Sequence, residues 1–216
     1  MANPKIDQAL LFSDLHESWK HLDNLNSLLK EQQFKLVIFA GDFLNMGETL
    51  GFARKFVEVF LRNEAQLVWV PGNNDFGHGY HLLNSKFRSL EGKVVTISGR
   101  KFCGVGGSPA SWAGQYSGQN MIDQVLVGGS IFVSHVPPPG NLSYQKNDCA
   151  SPTGRKFSDS PLVHICGHIH TNWGCAFLGQ TKVVKLAPLL FGHYAIMNLE
   201  NLSVEFRRFR ENSYLR

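Results

Sequence analysis

The sequence ALLFSDLH, residues 9–16, joins a short apolar run directly to an aspartate and a histidine. The same arrangement returns as LVIFAGD at residues 36–42 and as LVWVPGNND at residues 67–75. Apolar runs of this length are typical of strands that are buried on both faces. Apolar residues with helical spacing separate the runs, first after Trp19 and then over residues 49–62. The alternation predicts parallel strands joined by crossover helices.

The pattern changes after residue 92, where eight short apolar runs follow one another. Runs of this kind predict a second half that is mostly sheet. We expect two sheets packed face to face, with helices on the outside. The first helix should carry its apolar residues on one face, and these are Trp19, Leu22, Leu25, Leu28 and Leu29.

The 216 residues are enough to bury a substantial core, so we expect a single domain over residues 1–216. A hydrophobic share of 43% with 18% charged residues is ordinary for a folded protein. The net charge is +4, and we interpret the arginines near the C-terminus as a solvated tail. Because a nucleic-acid footprint should cluster on one face, this charge does not favour nucleic acid as a partner, and it does not exclude it. The arginines are Arg207, Arg208, Arg210 and Arg216.

The cysteines and the N-terminal sequence bear on the cellular compartment of the protein. The four cysteines include no Cys-x-x-Cys pair, so we expect reduced thiols. The N-terminus lacks the basic segment and the apolar stretch of a signal peptide, and no apolar run reaches the roughly 20 residues of a membrane span. These features predict a cytoplasmic protein with no membrane partner, and they leave its oligomeric state open.

Candidate metal ligands follow the predicted strands at their carboxyl ends. In open α/β sheets the ligand crevice lies outside those ends, so residues that are distant in sequence can meet there. His168 and His170, two residues apart on an extended strand, would share one side at about 6.6 Å along the chain. A glycine precedes several candidates, as Gly72 and Gly167 do, and allows a tight turn. The candidates are Asp14, His16, Asp42, Asn73, His135, His168 and His170.

Each candidate taken alone has an ordinary structural explanation. Asp42 fits a helix cap, Asn73 a turn, and His135 a hydrogen-bonded core histidine. Their order, each after an apolar strand, favours a shared metal site. A structural zinc site is a further alternative, although such sites usually use Cys-x-x-Cys knuckles. It would draw on Cys166, His168, His170 and Cys175.

The candidates, in this order, resemble the calcineurin-like metallophosphoesterase superfamily. The resemblance spans almost the whole chain and implies a four-layer α/β sandwich, with two mixed β-sheets flanked by helices. It also implies two metal ions. The matching blocks are Asp14-x-His16, Gly41-Asp42, Gly72-Asn73-Asn74-Asp75, His135 and Gly167-His168-Ile169-His170. By this resemblance one ion would be bound by Asp14, His16 and His170. The other would be bound by Asn73, His135 and His168, and Asp42 would bind both ions.

The resemblance implies hydrolysis of a small phosphoester by a hydroxide held between the ions, without a covalent enzyme intermediate. Mixed nitrogen and oxygen ligands suit Mn²⁺, Fe²⁺, Zn²⁺ or Ni²⁺. The expected catalytic residues are Asn74 and Asp75. Many family members carry histidine where this chain has Asn74, and an amide cannot deliver a proton at neutral pH. The chain looks like small prokaryotic members that lack this histidine and are regarded as phosphodiesterases, so we expect a phosphodiesterase.

Other functions stay open at this point, namely a phosphomonoesterase, including a protein phosphatase, and a non-catalytic scaffold of the same fold. His78 or His81 would replace the missing proton donor only if the next helix does not carry them away from the site. Residues 136–161 are rich in Pro, Ser, Asn and Gly and predict a long loop, which is typical of an active-site loop or an insertion. Within it, Arg155 is a candidate for substrate binding.

Overall fold

A computed structural model describes residues 6–45, 50–107, 127–138 and 160–210 of the chain. These ranges contain three α-helices, twelve β-strands and a 3-10 turn. The elements are β1 Gln8–Phe12, α1 Trp19–Gln32, β2 Leu36–Phe39, α2 Leu50–Arg62, β3 Gln66–Trp69, α3 Gly77–Lys86, β4 Arg88–Ser89, β5 Val94–Ile97, β6 Arg100–Val105, β7 Ile131–Ser134, β8 Val163–Cys166, β9 Gly174–Leu178, β10 Thr181–Lys185, the 3-10 turn Leu189–Phe191, β11 His193–Asn198 and β12 Val204–Arg208.

The strands form two mixed sheets of six strands each. Sheet A has the order β12-β11-β1-β2-β3-β4, in which β1 to β4 are parallel. Sheet B has the order β5-β6-β7-β8-β10-β9, in which β6, β7, β8 and β10 are parallel. The predicted α/β fold with two mixed sheets is confirmed, including the crossover helices α1 and α2.

Two apolar cores hold the layers together. One lies between the helices and sheet A, and it includes Leu25 of α1 and Phe56 of α2. The other lies between the two sheets and includes Ile165 of β8. Leu10 belongs to the first core and Leu11 to the second, because successive residues of a strand point to opposite faces. Strands of sheet A are therefore apolar on both faces.

The described helices all pack against sheet A, and α3 contributes Leu83 to their core. In the ranges that the structure describes, no helix packs against sheet B, so the fourth layer of the predicted sandwich is not among these residues. None of the described helices is long and apolar enough to cross a membrane. Cys103, Cys166 and Cys175 are free thiols, as expected.

One local expectation is wrong, that of a solvated arginine tail, and one residue of the predicted apolar face is exposed. Trp19 is 51% exposed, because it is the first residue of α1 and lies at the end of the buried stripe, where its ring meets the edge of Phe52. Arg207 and Arg208 are not part of a solvated tail. They belong to β12, which pairs with β11, because alternating apolar residues extend the sheet to this point.

Candidate metal centre

The carboxyl ends of five strands meet at one edge of the sandwich. Asp14, Asp42 and Asn73 follow β1, β2 and β3 of sheet A, whereas His135 and His168 follow β7 and β8 of sheet B. The contacts among these residues therefore join the two sheets. This is the convergence that the sequence predicts.

Asp14, His16 and His170 form a cluster that we name the outer group. Their ligand atoms all lie within 4.8 Å of one another. His16 Nε2 is 3.3 Å from His170 Nε2, and His170 Nε2 is 3.5 Å from Asp14 Oδ1. Asp14 is buried, while the side chains of His16 and His170 are 14% and 35% exposed. The outer group thus opens to solvent through its histidines.

Asp42, His135 and His168 form a second cluster, the inner group, whose ligand atoms also lie within 4.8 Å of one another. His135 Nε2 is 3.1 Å from His168 Nδ1 and 3.4 Å from Asp42 Oδ2. Asn73 joins this group, since its Oδ1 lies 3.1 Å from His135 Nε2. His135 and Asp42 are buried.

Asp42 lies between the two groups. Its Oδ2 is 3.4 Å from His135 Nε2 in the inner group and 3.8 Å from His16 Nε2 in the outer group. One carboxylate is therefore within reach of two neighbouring cation positions. The structure brings all seven predicted ligands into one small volume, and their function as ligands stays a proposal.

The proton on His135 can be assigned from its contacts. Its Nδ1 lies 2.8 Å from the carbonyl oxygen of Ala40, which only accepts, so Nδ1 carries a proton. In the neutral ring Nε2 then presents a lone pair to the oxygens of Asn73 and Asp42. Acceptors that face one another need a cation or a proton between them. A histidine whose other nitrogen donates to a carbonyl is typical of metal ligands.

The pKa values of these side chains depend on burial and on the charges of their neighbours. Burial opposes the charge on His135, but the Asp42 carboxylate outweighs it and raises the pKa of His135 to about 9. Burial also opposes the charge on Asp42, yet His135 holds the pKa of that carboxyl below its usual value. Burial and then the charge of His135 lower the pKa of His168 to about 4. The centre therefore keeps its carboxylates ionised and attracts positive charge.

Four of the seven candidates have a left-handed backbone. Asp14, His16, Asp42 and His168 have φ values of 54°, 47°, 61° and 68°. Such a conformation costs a non-glycine residue on the order of 1 kcal/mol, and it is typical of functional sites. Backbone hydrogen bonds between the loops offset this strain, as in Asp14 N–H to Gly41 C=O at 2.9 Å and His16 N–H to Asp42 C=O at 3.1 Å.

The expectation that His168 and His170 share one side of an extended strand is wrong. β8 ends at Cys166, so both histidines lie in the turn that follows. The positive φ at His168 separates them, and His168 joins the inner group while His170 joins the outer group. β1 ends at Phe12, so Asp14 and His16 also lie beyond the end of their strand.

Close packing of the loops requires glycine at two predicted positions. A Cβ at Gly72 would overlap Oδ1 of Asp42, and a Cβ at Gly167 would lie 2.6 Å from Oδ2 of Asp14. The chain after Gly167 instead brings the N–H of His168 to 3.1 Å from the same oxygen of Asp14. Glycine at these two positions therefore lets the loops approach each other closely.

Asp75 is engaged by backbone groups of two loops. Its buried carboxylate accepts N–H groups of Asp42 at 2.7 Å, Gly72 at 2.8 Å, Phe43 at 3.0 Å and Leu44 at 3.1 Å. Burial and the charge of Asp42 raise the pKa of Asp75 to about 7, while the N–H donors oppose that shift. These contacts hold the loop that carries Asp42, and the expected catalytic role of Asp75 stays a prediction.

Asn74 contacts the centre directly. Its backbone N–H donates to Asp42 Oδ1 at 2.9 Å, and its side-chain Nδ2 donates to Asp42 Oδ2 at 2.7 Å. Asn74 is partly exposed, so its amide is at the mouth of the centre. His78 and His81 lie in α3 with exposed side chains.

Two further expectations concern Arg155 with its loop and the alternative zinc site. Arg155 and most of the loop at 136–161 lie outside the described residues. The alternative zinc site is not supported, because neither candidate group among the described residues contains a cysteine. Cys166 Sγ instead contacts the carbonyl oxygen of Val184, and Cys175 is exposed.

A buried lysine near the centre was not predicted. Lys185 of β10 is fully buried, and its Nζ donates to the carbonyl oxygen of Thr171 at 2.5 Å. Thr171 follows His170 directly, so this bond fixes the end of the histidine turn. The signal in the sequence was a lysine inside the apolar run TKVVKLA, residues 181–187.

The 3-10 turn was also not predicted. Leu189 donates its N–H to the carbonyl oxygen of Ser13, and Leu190 donates to that of Asp14, both at 2.9 Å. The turn therefore holds the loop that carries Asp14. It has no local signal in the sequence, because its partners lie more than a hundred residues away.

Comparison with known proteins identifies the family. Residues 8–172 match the family model described as calcineurin-like phosphoesterase. The chain belongs to the calcineurin-like phosphoesterase family, as the sequence motifs predict. This family membership supports a hydrolase of phosphoric esters.

Individual proteins are similar to the chain in sequence or in structure. The uncharacterized protein MJ1162 of Methanocaldococcus jannaschii is 26% identical over 170 residues, which cover 71% of this chain and 77% of that protein. Protein TT1561 of Thermus thermophilus has a similar structure, with a TM-score of 0.71 at 15% identity over 95% of this chain and all of that one. An archaeal phosphodiesterase has a TM-score of 0.58 at 14% identity, over 94% of this chain and 99% of that one. At these identities the solved structures show the fold alone.

Proposed function

We propose that this protein is a phosphodiesterase that depends on two divalent transition-metal ions. The outer group Asp14, His16 and His170 would hold one ion, and His135, His168 and Asn73 the other. Asp42 would bind both, which its position between the two groups supports. The observation that best supports this proposal is the convergence of carboxylate, imidazole and amide acceptors in one volume.

The donor set fits transition metals. Nitrogen and oxygen ligands together suit Mn²⁺, Fe²⁺, Zn²⁺ or Ni²⁺ better than Mg²⁺ or Ca²⁺. Two such ions a few Å apart would lower the pKa of a bound water and neutralise charge on a phosphoryl group. The opening of the outer group to solvent leaves room for a phosphoester beside His16 and His170.

The protein residues around the centre have separate tasks. The Ala40 carbonyl keeps the proton of His135 on Nδ1, so that Nε2 faces the ion position. The N–H of His168 holds the carboxylate of Asp14. Asp75 holds the Asp42 loop through its four N–H contacts, so we propose that it is a positioning residue rather than a catalytic one.

Asn74 favours phosphodiesters over phosphomonoesters. A monoester dianion brings one more negative charge than a diester, and the neutral amide of Asn74 offers no charge to balance it. The amide also cannot protonate a leaving group, and a general acid is worth roughly 10²- to 10⁴-fold in rate. The archaeal phosphodiesterase of the same fold is consistent with this preference.

A hydrolysis screen tests the proposal. Protein stripped of metal is given Mn²⁺, Ni²⁺, Zn²⁺ or Mg²⁺ and then bis-p-nitrophenyl phosphate or p-nitrophenyl phosphate. We expect faster hydrolysis of the diester with at least one transition metal. Preference for the monoester would instead indicate a phosphomonoesterase, and failure to bind any transition metal would indicate a scaffold without catalytic function.

The variant Asn74→His sharpens this test. It should raise hydrolysis of the monoester by about tenfold or more, because it restores a group that can donate a proton. His78→Ala and His81→Ala serve as controls on the neighbouring helix. If Asn74→His hydrolyses the monoester no faster than the wild type, Asn74 is not the cause of the preference for diesters.

A further inference from the structure

A basic cleft lies next to the outer group. It has a volume of about 180 Å³ and lies between the first turn of α1 and the end of β12. Lys20 and His21 line it from α1, and Arg208 and Arg210 line it from β12 and the residues that follow. Among the lining residues that the structure describes, none is acidic. Cations from two separate elements thus face one small space.

The electrostatics of the cleft favour an anion. Burial lowers the pKa of His21, and the charges of Lys20 and Arg208 lower it further, which shows a positive potential at this ring. The first turn of α1 has no acidic residue, although the positive end of a helix favours acidic side chains. The hydroxyl of Ser18 contacts His21 Nδ1 at 2.9 Å instead of capping the helix. A bound anion would offset the repulsion among these groups.

Phe191 joins the cleft to the metal centre. Its ring meets His170 edge to face, with 6.1 Å between the ring centroids. Its carbonyl oxygen accepts a hydrogen bond from Arg208 Nε at 3.1 Å. The ring is half exposed, so it offers an apolar surface between the outer group and the arginine. The neighbouring Leu190 N–H binds the carbonyl oxygen of Asp14, which holds this connection in place.

We propose that the cleft binds a second phosphate of the substrate, and that the preferred substrates are nucleotide-like phosphodiesters with one further phosphate. The scissile phosphate lies at the metal centre, the group attached to it covers Phe191, and the second phosphate contacts Lys20 and Arg210. This inference rests on the proposed function, because it takes the metal centre as the place of hydrolysis. It names a substrate class that the seven ligands leave open.

The test compares two substrates that differ by one phosphate. They are the p-nitrophenyl ester of thymidine 5′-phosphate and the same compound with an added 3′-phosphate. The wild type should favour the 3′-phosphate compound by about tenfold or more in kcat/KM, mainly through KM, because charge-assisted hydrogen bonds to phosphate are strong. The double variant Lys20→Gln/Arg210→Gln should lose this preference. Arg208 is left unchanged because it also holds the carbonyl of Phe191.

The matched control is Lys30→Gln, which removes one charge at the other end of α1 and should keep the preference. Equal kcat/KM for both compounds in the wild type would overturn the inference. An unchanged preference in the double variant, or a lost preference in Lys30→Gln, would overturn it as well.

Binding without metal separates this inference from the proposed function. Thymidine 3′,5′-bisphosphate is titrated into protein stripped with a chelator, and calorimetry gives the Kd. The double variant should bind about tenfold more weakly than the wild type, and Lys30→Gln should bind equally well. If neither ester is hydrolysed but this difference is found, the phosphodiesterase proposal fails and the phosphate cleft stands. If the double variant binds as tightly as the wild type, the cleft proposal fails even when both esters are hydrolysed.

Discussion

The inner and outer groups contain similar side chains but differ in how the protein holds them. In the inner group His135 is fully buried and bound to Ala40, while Asp75 holds the backbone of Asp42. In the outer group His16 and His170 are partly exposed, and their side chains contact each other and the nearby carboxylates. The inner group is therefore built into the packing between strands, and the outer group lies at its surface.

This difference predicts two metal affinities. A ligand set that is already fixed loses little conformational entropy when an ion binds, so the inner group should bind its ion more tightly. The outer group must order two histidine side chains, and it should fill second. The more weakly held ion would then lie on the side that faces solvent and substrate.

The largest effect should come from the residue that both groups share. Asp42→Asn removes the charge that attracts both ions, so hydrolysis of bis-p-nitrophenyl phosphate should fall by about 1000-fold or more, with loss of bound metal. Metal content by elemental analysis and kcat from initial rates measure this. The control is Asp23→Asn, which changes an exposed aspartate of α1. Retention of two ions by Asp42→Asn would contradict the placement of Asp42 between the groups.

A change at Asp75 should weaken the inner group without touching a ligand. Asp75→Asn replaces one acceptor oxygen by an amide donor, which faces backbone N–H groups that are also donors. Leaving such buried groups unpaired should lower the free energy of unfolding by about 3 kcal/mol. Affinity for the first ion should also fall by about tenfold or more, since a support of a ligand is lost.

Urea unfolding of metal-free protein and metal titration measure the two effects of Asp75→Asn. Asp23→Asn is again the reference for loss of a carboxylate. Wild-type stability combined with wild-type metal affinity would show that Asp75 does not position the Asp42 loop.

Substitution of one histidine in each group compares them directly. His135→Ala should lower the free energy of unfolding of metal-free protein by about 2 kcal/mol, because it opens a buried space and leaves the Ala40 carbonyl unpaired. His170→Ala should change it by less than about 0.5 kcal/mol, since this side chain is partly exposed. Both variants should bind fewer ions. Equal destabilisation of His135→Ala and His170→Ala in urea would show that the protein holds the two groups equally firmly.

A smaller effect than that of His135→Ala concerns a buried histidine outside the centre. His164 of β8 lies 2.6 Å from Ser134 Oγ, and burial lowers its pKa to about 3. Unfolding restores an ordinary pKa near 6.5, so the unfolded chain binds more protons below that value. The stability that neutral His164 contributes is complete above about pH 6.5 and is lost as the pH falls from there towards 3. Between pH 7 and pH 5.5 the loss should be about 1 kcal/mol.

The measurement is the difference in urea stability between wild type and His164→Gln at these two pH values, without metal. His81→Gln, an exposed histidine of α3, is the control. The same measurement is relevant to His168, because burial is also the largest cause of its lowered pKa. An equal pH dependence in wild type and His164→Gln would show that burial does not keep His164 neutral.

Much of the fold and the set of candidate ligands could be predicted from local sequence. Strands such as Leu36–Phe39 are apolar without interruption because both of their faces are covered, and this leaves a readable pattern. The candidate ligands near the strand ends, such as Asp42 and His135, come shortly after these runs. The resemblance to the family then indicated which of these residues form one site.

Other features could not be predicted because their causes are distant in sequence. The backbone of Asp14 and Asp42 has positive φ only because the loops after β1 and β2 bind each other. The role of Asp75 depends on backbone N–H groups some thirty residues earlier in the chain. The sequence around Arg208 suggests a tail residue, because nothing near it in sequence shows that Lys20 lines the same cleft.

The sequence by itself determined the apolar strands, the order of the ligands and the family, because these follow from residue type and spacing along the chain. Only the tertiary structure decided how the candidate ligands divide, with His168 in the inner group and His170 in the outer group. His16 and His170 are 154 residues apart, yet their Nε2 atoms lie 3.3 Å from each other. The torsion angles of the loops and the hydrogen bonds between them set this distance, and local spacing does not contain that information.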